Sequence, residues 1–147
     1  MAETEALGQR IGAAARAGLV IGLRGELGAG KTALVRGLAR GMGVEGRVRS
    51  PTFTVASLHP GALPLLHVDA YRLDDPNELE LHGWHEWHQG GVIAVEWADR
   101  VEAILPDRRL RIDLSHEADG VRMGQIQVIG KDSDDPVHLA FRAAIVS

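Results

Sequence analysis

The chain has 147 residues, a formal net charge of −4, 45% hydrophobic and 24% charged residues, and no cysteine. That is enough chain for one ordinary domain and too little for several. It excludes disulfides, thiolate metal sites and thiol catalysis. Without a Lys/Arg block, the acidic balance argues against a basic face that holds nucleic acid by itself. No apolar run approaches the ~20 residues of a membrane span. The opening MAETEALGQR is acidic, without the basic-then-apolar start of a secretory signal, so the expectation is a cytoplasmic protein with no membrane association.

The first stretch, residues 3–18, spaces Leu7, Ile11, Ala14 and Ala15 as an amphipathic helix does, and Gly18 is its stop. LVIGLRG (19–25) is a short apolar run read as a buried strand. KTALVRGLARGMG (31–43) returns to helical spacing through Leu34, Val35, Leu38 and Met42 and ends at Gly43. Between strand and helix lies GELGAGKT (25–32), with Gly25, Gly30, Lys31 and Thr32 in the spacing G-x-x-x-x-G-K-[ST] of a phosphate-binding loop. That motif needs a strand before it and a helix after it, and both are predicted here. Only two of the 16 Lys and Arg residues are lysine, and one stands at position 31, where a compact ammonium can reach under a phosphate chain.

Further along, SPTF (50–53) is a loop, and the residue before Pro51 is pushed towards extended geometry. FTVASLH is a strand, GALP a tight connection, and PLLHVDAYRL (64–73) a second strand ending near Asp69, so the pair is a candidate hairpin. A helix is expected from Asp74 or Asp75, with Pro76 at its first position, until Gly90-Gly91. VIAVEWA (92–98) is another buried strand ending at Glu96. DRVEAILP gives one or two helical turns closed by Pro106. RRLRIDLSH alternates as a half-exposed strand, GVRMGQIQVIG is its hairpin partner, and DPVHLAFRAAIV is a C-terminal helix. The order suits one α/β domain, 1–147, of three layers and P-loop NTPase type. Its central sheet would be mainly parallel, with antiparallel edge strands that include the 108–130 hairpin.

A loop of this kind aims backbone N–H groups and the positive end of a helix dipole at one spot. Lys31 would contact the outer phosphates, and the Thr32 hydroxyl would ligate Mg2+. Hydrolysis needs a further acid for the metal and a group that orients or deprotonates water, both at the carboxyl ends of neighbouring strands. Asp69 and Glu96 stand at such ends. The guanine-recognition stretch N-K-x-D is impossible, since the single Asn, Asn77, is followed by Glu78; ATP is favoured by that absence. Trp97 adjoins Glu96 and is either a nucleotide neighbour or a boundary tryptophan. His82, His85 and His88 fan over a helix surface too widely to close on one ion without bending, and Gly83 weakens that helix, so a solvated or partner-facing segment is the better reading than zinc.

GELGAGKT, SPTF, HVDAYRL, NELELHG and VEWADR with a following LP occur in the order found in the TsaE (YjeE) family of small bacterial ATPases, which residues 4 to 106 resemble. The resemblance implies a P-loop α/β fold and a part in making N6-threonylcarbamoyladenosine at position 37 of tRNAs that read codons beginning with A. It implies ATP and Mg2+ as ligands, slow turnover without partners, the TsaB-TsaD pair as partners, and tRNA contact only through them. Carried over by position, Gly25, Glu26, Leu27, Gly28, Ala29, Gly30, Lys31, Thr32 and Ala33 would surround the phosphates. Thr32 and Glu96 would serve Mg2+, and Asp69 would orient or deprotonate water, with Lys31 completing the catalytic pair; the roles of the two carboxylates are exchangeable. Thr52 would sense metal or γ-phosphate, or else belong to a plain Ser-Pro turn. Trp97 follows the family's E-W pair. Arg122 matches a nucleotide-reaching arginine loosely, a surface strand arginine being the other reading. Ala33 departs from the family's second Thr, which removes a hydroxyl contact to the α-phosphate. The alternatives are a small P-loop kinase, for which no Arg-rich lid is evident, and a nucleotide-sensing interaction module that does not hydrolyse.

Overall fold

The computed structural model describes residues 2–25, 30–44, 56–73, 75, 90–106, 108–116, 122–129 and 136–145. Among these residues three helices, α1 (Ala2–Ala14), α2 (Lys31–Gly41) and α3 (Pro136–Ile145), accompany six strands. The strands are β1 (Val20–Arg24), β2 (Ala56–His59), β3 (Leu65–Asp69), β4 (Val92–Glu96), β5 (Arg109–His116) and β6 (Arg122–Ile129). They form one sheet in the order β2-β3-β4-β1-β5-β6. The four central strands run parallel, while β2 and β6 are antiparallel at the two edges. This is the mainly parallel P-loop NTPase-type sheet with antiparallel edges that the element order predicts.

The parallel strands β1, β3 and β4 are short, apolar and almost wholly buried, as strands covered on both faces must be. Alternation sorts their side chains. Ile21, Leu23, Leu65, Ala94, Leu110 and Ile112 pack with Ile11, Leu34, Leu38 and Ala140 of the helices on one face. Val20, Leu66, Val68, Ile93 and Val95 pack on the other against Ala98, Val101 and Leu105. Those last residues belong to a stretch that forms two 3-10 turns, Ala98–Arg100 and Glu102–Ile104, so the expected one or two helical turns take 3-10 form. The strand expected to end near Asp69 does so, and a third 3-10 turn, Ala70–Arg72, follows, where Asp69 accepts the Tyr71 N–H and bends the chain.

The 108–130 hairpin also departs from expectation. β5 joins the sheet parallel to β1, with Leu23 beside Ile112, so only β6 is the antiparallel extension. The reason is burial: Leu110, Ile112 and Leu114 belong to the helix-side core, which makes β5 an inner strand. The β2–β3 hairpin across GALP is as expected. The helix expected from Asp74 or Asp75, with His82, His85 and His88, lies outside the described residues apart from Asp75 itself.

α1 and α2 meet through glycines on both sides. A Cβ at Gly8 would stand 2.1 Å from the Leu34 carbonyl oxygen, one at Gly12 2.2 Å from that of Leu38, one at Gly37 2.0 Å from that of Glu5, and one at Gly41 2.2 Å from that of Gln9. Real Cβ atoms do not approach backbone so closely, so the helix pair lies backbone to backbone. Arg36 and Arg40 add ion pairs to Glu5 at 3.7 and 3.6 Å at the margin of the seam, which as partly exposed contacts contribute little.

Candidate functional site

β1 delivers the chain to the carboxyl edge of the sheet at Gly25, and α2 leaves that edge at Lys31. Both ends of the intervening loop demand glycine: Gly25 has φ 146° and Gly30 φ 105°, values that a Cβ makes costly. Gly30 stands at the N-cap of α2 without a side chain to cap it, and no acidic residue occupies the first turn. The helix dipole and the first amides therefore face the loop without a competing anion on their own helix.

Lys31, the first residue of α2, is only 5% exposed. Its Nζ donates to the Gly25 carbonyl oxygen at 2.6 Å and lies 4.1 Å from the centroid of the Trp97 ring, a cation–π arrangement. Loss of hydration lowers its pKa from 10.5, and the carboxylates of Glu96, Asp99 and Asp69 partly offset that. Trp97 holds its ring there with the left-handed backbone φ 58°, ψ 43°, and it is the one non-glycine among the described residues with positive φ. Such strain in a bulky residue marks a position held by its surroundings. Tyr71 packs on the ring at 4.9 Å between centroids, with Arg100 5.5 Å from the Tyr71 ring.

Thr32 follows on the first turn. Its Oγ1 donates towards Glu96, 3.1 Å from Oε1 and 3.3 Å from Oε2. Parallel register sets Asp69 of β3 directly beside Glu96 of β4, and both are buried. The two carboxylates, the hydroxyl and the ammonium thus gather at one corner, where β3 and β4 end and α2 begins. Behind Glu96 lies His67, fully buried, with Nε2 2.5 Å from Glu96 Oε2. His67 stands within HVDAYRL, where the sequence alone assigns it no role. The available signal was a polar residue inside the apolar run LLHVD, two positions before Asp69 and so on the same strand face.

Of the other residues singled out, Ala33 is buried on α2. Glu26, Leu27, Gly28, Ala29 and Thr52 lie outside the described residues. Arg122 opens β6 opposite His116, at the same edge of the sheet as the loop. Beside Gly25 a cleft of about 300 Å³ is lined by Arg24, Trp97, Asp99, Asp113 and Leu114, near the lower end of the usual range for small-molecule sites. Arg24 bridges Asp113 at 3.5 Å on its wall. Sequence reading singled out neither Asp99 nor Asp113.

Comparison with known proteins agrees with this architecture. The crystal structure of YdiB from Bacillus subtilis superposes with a TM-score of 0.77 and 33% identity, over 97% of this chain and 88% of that one. A tRNA threonylcarbamoyladenosine biosynthesis protein TsaE from Streptomyces coelicolor is 46% identical over 136 residues, covering 85% of this chain and 90% of its own length. The Bacillus subtilis protein of the same name is 42% identical, covering 87% and 81%. The family model described as threonylcarbamoyl adenosine biosynthesis protein TsaE matches residues 1–124, and the chain belongs to the TsaE family.

Proposed function

We propose that the protein binds and hydrolyses ATP with Mg2+ and that this turnover supports formation of N6-threonylcarbamoyladenosine in tRNA, in concert with the TsaB-TsaD pair. The curated relatives carry the name of that modification. The observation that carries the chemistry is the convergence of Thr32 Oγ1 and the Glu96 carboxylate, 3.1 Å apart, beside a buried Lys31 at the start of α2.

The donor set fits magnesium. Hydroxyl and carboxylate oxygens are hard ligands, and magnesium characteristically takes one or two protein oxygens and completes its shell with water and substrate phosphates. Bound there, the ion would neutralise charge on the outer phosphate oxygens.

The remaining work falls to the chain. The loop and the first amides of α2 hold the phosphates. Lys31 exchanges the Gly25 carbonyl for phosphate oxygen and so brings its charge to the transferred group. Asp69, beside Glu96 and fixed by the Tyr71 N–H at 3.1 Å, orients or deprotonates the attacking water. Hydrolysis is favoured over a kinase reaction because a kinase shields the phosphates from water beneath a lid, and the sequence shows no Arg-rich insertion to supply one. The net charge of −4 suits a protein whose tRNA is held by its partners.

Phosphate release from ATP by the purified chain, with and without the TsaB-TsaD pair, tests the proposal. The expected result is slow release alone, stimulation by the pair, and loss of both in Lys31→Ala. Absence of stimulation would count against the modification role. Asp69→Asn with ATP affinity and phosphate release both unchanged would indicate a sensing module without catalysis.

A further inference from the structure

We infer that His67 is a positioning residue for Glu96, fixing the rotation of the carboxylate that faces Thr32 and thereby setting the affinity for the divalent ion. The inference rests on the magnesium-dependent role proposed above. His67 is 0% exposed in a strand whose neighbours Leu65, Leu66 and Val68 are core residues. A leucine there would need no hydrogen bond, whereas a buried imidazole is costly unless it is bonded. Among the described residues it bonds to Glu96 Oε2, at 2.5 Å.

Register explains the reach. His67 pairs with Ala94, and Glu96 lies two residues further along β4 on the same face. The imidazole therefore comes from beneath, while Thr32 approaches from α2. A glutamate side chain held from two sides loses its freedom to swing, and one held only by Thr32 keeps it. A carboxylate accepts only, so Nε2 carries the proton and donates. Nδ1 has no partner among the described residues. The His59 ring lies near, with centroids 6.4 Å apart, and the imidazole is wholly enclosed. Partners that orient a metal ligand are worth about 10–100-fold in metal affinity.

The test uses the full chain, in excess over ADP, with Mn2+ as the probe read by electron paramagnetic resonance. His67→Met fills the space without a donor. His67→Gln places an amide N–H near the position of Nε2, and His67→Asn holds its amide too far back. The expected result is Mn2+ binding weakened about 10–100-fold in His67→Met and His67→Asn, with His67→Gln restored to within about 5-fold of the parent. ADP affinity measured calorimetrically in EDTA should stay within about 2-fold in all three, because a positioning residue acts on the ion and not on the phosphate loop. If His67→Met does not fold, the Gln and Asn variants decide between themselves. Equal Mn2+ affinity in the Gln and Asn variants overturns the inference, as does a fall in metal-free ADP affinity by the same factor as Mn2+ affinity. A parent protein that takes up no Mn2+ with ADP overturns the magnesium role itself, whereas a parent that binds Mn2+ and a His67→Met variant that binds it equally well overturns only the part given to His67.

Discussion

The two sides of α2 are built on opposite principles. Its flank is pressed against α1 through Gly8, Gly12, Gly37 and Gly41, with backbone meeting backbone. Its first turn meets β3 and β4 through polar groups: the half-buried Thr32 and the buried Lys31, His67, Asp69 and Glu96. The flank tolerates no extra atom because nothing along it can give. At the first turn the groups are held by hydrogen bonds that can be exchanged for others. A helix packed rigidly along its length can present a polar first turn at a fixed place, and a phosphate-binding loop needs that. Core-like packing thus serves the chemistry by fixing where Thr32 stands relative to Glu96.

The sharpest way to break the polar side alone is Glu96→Gln. The amide keeps the shape of the carboxylate and removes its charge, so the fold should survive, with a melting temperature within a few degrees of the parent. Phosphate release should fall by about 10²–10³-fold, the usual loss when a preorganised electrostatic group at a transition state is removed. Asp69→Asn should lose a comparable factor while keeping Mn2+ affinity, and that would assign the water-orienting role to Asp69. The reverse pattern, Mn2+ affinity lost in Asp69→Asn and kept in Glu96→Gln, would exchange the two roles.

Gly37→Ala breaks the other side. Alanine is the better helix former by about 1 kcal/mol, yet its Cβ would stand 2.0 Å from the Glu5 carbonyl oxygen. Steric conflict with backbone wins, and a net loss of about 1–3 kcal/mol in urea unfolding is expected. Gly90→Ala is the control: a Cβ there meets nothing within 4 Å, so its stability should change by less than about 0.5 kcal/mol. Because the seam places α2, Gly37→Ala should also weaken ATP binding although it touches no ligand. Unchanged ATP affinity in a destabilised Gly37→Ala variant would show that the first turn is positioned by its own hydrogen bonds.

The same contrast explains what was legible in the sequence. Strand β1, the loop ends and α2 could be read because a single spacing, GELGAGKT between two apolar patterns, carries a mechanism. Asp69 and Glu96 could be read as acids ending apolar runs; that they are neighbours could not, since register between strands far apart in sequence leaves no local trace. The direction of β5 was hidden for the same reason. The glycine seam was invisible because glycines in a helix look like weakness until a second helix is seen against them. His67 was overlooked because a lone polar residue in a strand is ordinary, and its value lies in a partner 29 residues away.

The smallest expected effect weighs burial against bonding at Lys31. Burial lowers its pKa from 10.5, against the pull of Glu96, Asp99 and Asp69. Between that lowered folded value and 10.5 the unfolded chain still holds a proton that the folded chain has shed, so stability rises with pH across this window. Lys31→Met removes the titrating group and leaves an apolar chain of similar length in its place. In the ligand-free protein the unfolding free energy of Lys31→Met minus that of the parent should therefore fall as pH rises through the window, and level off above 10.5. The bond to Gly25 and the contact with Trp97 favour the ammonium and, with the carboxylates, oppose the shift, so the slope reports lost hydration net of these contacts. A flat difference across the alkaline range would mean that the neighbouring groups make up in full for the lost hydration. The site would then hold no charge strained by burial for an incoming phosphate to relieve.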